Sequence, residues 1–122
     1  MSPLAAIIYD ILRCRTSLED PRITYAELAE QVRDAGDEFE YVHHRNRQLY
    51  TALVEVGAAC RRRKLPPLPA LVVRADTGRP GAAYYEGKCG GTVYRDEQIA
   101  GWRRDLEAVK AANYPARGAG SE

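Results

Sequence analysis

A chain of 122 residues, 45% of them apolar, has the size of one domain with a single modest core. Eighteen basic and seventeen acidic side chains leave a formal charge of +1, so no global field drives the chain onto polyanions or anionic membranes. No run of about eighteen apolar residues is present, which argues against a membrane-spanning helix.

In chain order, the first predicted element is a helix beginning at Pro3. Ser2 is placed to cap it, Pro3 suits its first position, and Leu4, Ile7, Ile8, Ile11 and Leu12 recur at helical spacing. The start is apolar but lacks a basic lead and carries Asp10, so it reads as a helix rather than a leader peptide. After the polar loop TSLEDPR, Thr24 and Glu27 form a T-x-x-E capping box that opens a second helix. Ile23 and Leu28 are spaced to staple across that cap. Tyr25, Leu28, Ala29 and Val32 supply the inner face, and Gly36 ends the helix.

The acidic loop DAGDEFE follows. A long third helix is expected from Tyr41 to Lys64, with Val42, Leu49, Leu53, Val56 and Cys60 as its seam. Three prolines in LPPLP stop it. Ala70 to Arg74 is short, apolar and rich in β-branched residues, which predicts a buried strand. Asp76, Thr77, Gly78, Pro80 and Gly81 predict a turn, and Ala82 to Glu86 a returning strand. A last helix starts at Asp96, buries Ile99, Trp102, Leu106 and Val109, and ends before Pro115. The expected fold class is therefore α+β: a mostly helical, winged-helix-like domain over residues 1–114, with three N-terminal helices, a short β-hairpin wing and a C-terminal helix. Residues 115–122 are expected to form a flexible tail.

These residues resemble a known family. TYAELAEQV, the helix after it, a strand introduced by proline and the GxxYYxG segment are similar to the DNA-binding domain of alkylguanine-DNA alkyltransferases and alkyltransferase-like proteins. The likeness spans roughly residues 22–87 and implies a winged-helix shape. Where that family carries its reactive cysteine motif, this chain has Pro69, Ala70, Leu71 and Val72, so the resemblance does not extend to alkyl transfer.

The charge pattern is more informative than the net charge. Residues 43–64 hold six basic side chains and one acidic one, Glu55, whereas residues 16–40 hold eight acidic and two basic. Arg45, Arg47, Gln48, Arg61, Arg62, Arg63 and Lys64 on the third helix are candidate contacts for nucleic acid or a protein partner. Arg74, Arg79, Tyr85 and Lys88 are their counterparts on the wing. Arginines at a helix C-terminus also complement its dipole, and an outward Tyr can simply close a core.

No catalytic, metal or cofactor site is predicted. Cys14, Cys60 and Cys89 are odd in number and widely spaced, against both a disulfide framework and a zinc site. Cys89, beside Lys88, has no base placed near it by the sequence. Adjacent His43 and His44 diverge by about 100° on a helix and cannot share one ion. The expected partner is DNA, or a protein of a DNA-processing or defence system, and no membrane. The expected location is the cytoplasm, and the arginine-rich composition points to a bacterial or phage source. The alternative is an interaction module: an inhibitor, adaptor or immunity-type protein that occupies a partner's surface.

Overall fold

The computed structural model describes residues 1–43, 47–81, 84 and 96–115. The first helix, α1 (Pro3–Arg15), begins where its capping chemistry puts it: the Ser2 hydroxyl accepts the Ala5 N–H at 3.2 Å. Leu4, Ala5, Ile8, Tyr9 and Leu12 are buried, while Ile7 and Ile11 flank them at the edge of the core. The loop behind it is tied down by Arg15, whose guanidinium donates to the carbonyls of Pro21 and Arg22 at 2.9 and 2.8 Å.

The capping box forms as expected. Thr24 accepts the Glu27 N–H at 3.1 Å, Glu27 accepts the Thr24 N–H at 3.0 Å, and α2 (Tyr25–Ala35) follows. Ile23 and Leu28 on either side of the cap are 1% and 0% exposed, as a hydrophobic staple requires. A short 3-10 turn, Asp37–Phe39, comes next, and α3 occupies Arg47–Arg62. The third helix thus does not begin at Tyr41: residues 41–43 are irregular, and residues 44–46 lie outside the described residues. Val42 lies at helical spacing from Leu49, yet it reaches the core from an irregular segment, which it plugs together with Phe39.

The end of α3 is a Schellman motif. Leu65 N–H bonds Cys60 O at 2.9 Å and Lys64 N–H bonds Arg61 O at 3.0 Å, with Lys64 in the left-handed region at φ 57°. The proline-rich stretch then winds into a second 3-10 turn, Leu68–Leu71, so the predicted strand is cut to two residues, Val72–Val73, labelled β2. Its partner is β1 (Ile23–Thr24), in parallel, with Ile23 opposite Val72 and Thr24 opposite Val73. Parallel pairing needs a long crossover, and α2 and α3 supply it.

Past β2 the chain does turn back. Val73 forms an antiparallel bridge with Pro80, Arg74 N–H bonds Arg79 O at 2.8 Å, and Gly78 takes φ 68°, a conformation that glycine adopts without strain. The returning strand is not seen at Tyr84, which has helical backbone. The other residues of that predicted strand, Ala82, Ala83, Tyr85 and Glu86, lie outside the described residues. Gly81 is required by close approach, since a Cβ there would meet the Tyr25 phenol, with ring carbons within 2.8 Å.

The last described helix, α4 (Asp96–Ala111), is fastened by aromatic donors. Trp102 Nε1–H donates to Ala70 O at 2.8 Å, and Tyr84 Oη donates to Asp105 at 2.5 Å. Beyond the helix, Tyr114 Oη donates to Pro66 O and Tyr9 Oη to Pro115 O, both at 2.6 Å. Pro115, expected at the start of a flexible tail, is thus tied to α1; residues 116–122 lie outside the described residues. The architecture is mostly helical α+β. α1 packs on both α2 and α3, and one core cluster runs from Leu4 to Val109.

Candidate functional site

Helix α3 carries the described part of the candidate surface. Its buried side is Leu49, Ala52, Leu53, Val56, Gly57, Ala59 and Cys60, which leaves Arg47, Gln48, Thr51, Arg61 and Arg62 exposed. At about 100° per residue, Arg47, Thr51, Ala58 and Arg62 fall within an arc of roughly 60°. Arg47 and Arg61 stand roughly 21 Å apart along the axis, at 1.5 Å per residue.

The electrostatics of this face are sharper than the sequence shows. Glu55, the one acidic residue of α3, is turned to α1, where it accepts the Ser2 N–H at 2.6 Å. Among the described residues Arg47 and Arg61 form no ion pair. Lys64 is exposed and Arg63 half-buried at the same end as Arg61. The structure therefore separates two groups, Arg47 with Gln48 at one end of α3 and residues 61–64 at the other. Arg45 lies outside the described residues.

The turn after β2 contributes less than expected. Arg74 is neutralised by Asp76 through two hydrogen bonds of 3.1 and 2.9 Å, and this guanidinium holds the Asp76 carboxyl below its usual range. Arg79 is exposed and unpaired among the described residues. Tyr85, Lys88 and Cys89 lie outside the described residues. Of the predicted wing contacts, only Arg79 is shown with a free cation.

The acidic face sorts into structural and free groups. Glu27 serves the capping box, which lowers its pKa. Asp20 pairs with Arg22 at 2.9 Å, and its carboxyl is held down at about 2. Glu30, Asp34, Asp37, Glu38 and Glu40 are exposed.

A groove lies where the start of α1, the segment after α2 and the first half of α3 converge. Its volume is about 710 Å³ and its lining includes Leu4, Phe39, Tyr41, Arg47, Gln48 and Thr51. It joins two predicted site residues, Arg47 and Gln48, to residues that sequence reasoning missed. The advance signal was Phe39 within the acidic loop, with Tyr41 just after it.

Burial raises the Cys60 thiol above its ordinary value, which leaves it unreactive. Among the described residues no three His, Cys, Asp or Glu side chains converge on a metal position. No described helix is long and apolar enough to cross a membrane. Compared with known protein families, curated proteins and solved structures, the chain gives no match.

Proposed function

We propose that this chain is a small, non-enzymatic, winged-helix-like domain that binds DNA, or serves as an accessory to a DNA-bound complex, of bacterial or phage origin. The contact surface is the outer face of α3, with Arg79 on the following turn. The observation that carries this reading is the state of the α3 charges: Arg47 and Arg61 are exposed and form no ion pair among the described residues, while Glu55 is withdrawn into a bond with Ser2. A helix face that offers cations and no anions suits a phosphate backbone. The resemblance of residues 22–87 to an alkyltransferase DNA-binding domain supports the same reading.

A gel-shift titration with a labelled duplex at low salt tests it. Binding is expected by tens of micromolar protein, the range of weak non-specific contacts. A free duplex throughout that range overturns the proposal. The second reading, an inhibitor, adaptor or immunity-type module, is favoured by one observation: the groove beside Arg47 has an apolar floor and two carboxylates in its lining, which suits protein better than phosphate.

A further inference from the structure

The groove beside α3 has a chemistry distinct from the helix face next to it. Leu4, Phe39 and Ala52 line its floor and are 7%, 5% and 2% exposed. Tyr41 stands on the rim at 47% exposure; among the described residues only Leu18, at 46%, is a comparably exposed large apolar side chain. Two carboxylates and one guanidinium line the rim among the described residues, and they are not equivalent. Glu55 is occupied by the Ser2 N–H, whereas Arg47 on α3 and Glu38 on the turn after α2 form no ion pair among the described residues. Among the described residues the groove is thus an apolar trough with one unpaired charge of each sign on its walls.

We infer that this groove docks a short peptide segment of a partner protein: one large apolar or aromatic side chain enters it, an acidic residue on one flank meets Arg47, and a basic residue on the other meets Glu38. Charge complementarity selects that occupant. Among the described residues, a phosphate chain entering the groove would meet Glu38 and Glu55 against Arg47 alone, so a polyanion suits the outer face of α3 better. A small polar metabolite needs convergent buried polar groups to orient it, and none of the described polar or charged residues lining the groove is buried. A peptide supplies an apolar anchor with charged flanks, which answers the floor and both rims.

The test is an amide NMR titration of the full chain with three capped peptides: acetyl-EEGWGKK-amide, the same peptide with Trp replaced by Ala, and acetyl-EEGWGEE-amide. The first should move the amides of Leu4, Tyr41 and Thr51 saturably, with an affinity of about 10 µM to 1 mM, as a small contact area gives. The alanine peptide should leave those amides in place, and the all-acidic peptide should bind at least fivefold more weakly. Two exposed-site variants complete the test: Thr51→Trp, which fills the trough, should abolish binding, and Arg47→Glu should weaken it at least fivefold. Should Thr51→Trp fail to fold, Arg47→Glu alone decides, because its side chain lies outside the core. The inference is overturned by shifts that do not saturate at low millimolar peptide, by equal binding of the alanine peptide, or by unchanged binding to Arg47→Glu. A duplex titrated in parallel should instead move Ala58 and Arg61. Peptide binding without duplex binding keeps the groove and removes the DNA reading; the converse does the opposite.

Discussion

Replacing Trp102 by Phe probes the joint that holds α4 to the rest of the domain. The indole is 5% exposed and its N–H donates to the carbonyl of Ala70, itself fully buried, at 2.8 Å. Phe removes that donor and part of the ring volume. A lost hydrogen bond costs about 1 kcal/mol net, a buried carbonyl left without its donor about 1–3, and the residual void about 1 more. Allowing for overlap between these effects, the loss should be roughly 2–4 kcal/mol, a large share of the ~5–15 kcal/mol that stabilises a typical domain. For a chain of this length each kcal/mol shifts the midpoint by roughly 3–5 °C, so the expected fall is about 6–20 °C. Circular dichroism gives the midpoint of both proteins. Trp102 is the sole tryptophan, so its emission reports the wild-type joint directly and should be blue-shifted in the native state and move red on unfolding. Tyr114→Phe, which removes a bond to Pro66 from a half-buried ring, should cost only about 1 kcal/mol. A Trp102→Phe midpoint within about 2 °C of wild type, or native emission typical of a solvated indole, would refute the packing of α4 on the 3-10 turn.

Three smaller perturbations test other joints. Gly81→Ala should destabilise by about 1–3 kcal/mol because the new Cβ collides with Tyr25, and Tyr25→Ala should remove most of that penalty in a double-mutant cycle; additive losses would show that the two do not touch. Lys64→Gly should raise stability by about 0.5–1 kcal/mol, because glycine relieves the left-handed backbone at the end of α3, and a lower melting midpoint would contradict the Schellman assignment. Asp20 should titrate at about 2, so its pairing with Arg22 stabilises the fold above the ordinary carboxylate range and is lost as the pH falls toward that value. The pair is largely exposed, so the effect should be a few tenths of a kcal/mol and fade in salt; carboxyl NMR showing an unshifted titration would contradict the pairing.

What was legible in the sequence was local. Ser2 and the Thr24–Glu27 box mark helix starts because a cap acts within four residues of itself, and the structure places α1 and α2 where those signals put them. The burial of Trp102 and Val109 on α4 follows from helical spacing in the same way, with Ile99 and Leu106 half-buried beside them. Val42 misled because periodicity cannot tell a helical residue from a loop residue that plugs the same core. The pairing of Ile23–Thr24 with Val72–Val73 was invisible, since two-residue strands carry no alternation and their partner lies two helices away. So were the bonds from Trp102, Tyr114 and Tyr9 to backbone carbonyls, which depend on where the proline-rich stretch turns. At the candidate site, the basic character of α3 could be read directly. The loss of Glu55 to Ser2, the neutralisation of Arg74 by Asp76 and the groove could not, because each joins residues through three-dimensional placement or rotamer choice.

The salt dependence of duplex binding by wild type and by the Arg47→Glu, Arg61→Glu double variant tests the proposed DNA contact most directly. Both side chains are exposed, so the variant should keep its fold and melting midpoint. If the outer face of α3 meets phosphates, log affinity should fall linearly with log salt in wild type, and the slope should flatten by about two in the variant, with binding weakened across all sequences alike. Wild-type affinity and an unchanged slope in the folded double variant would contradict the account.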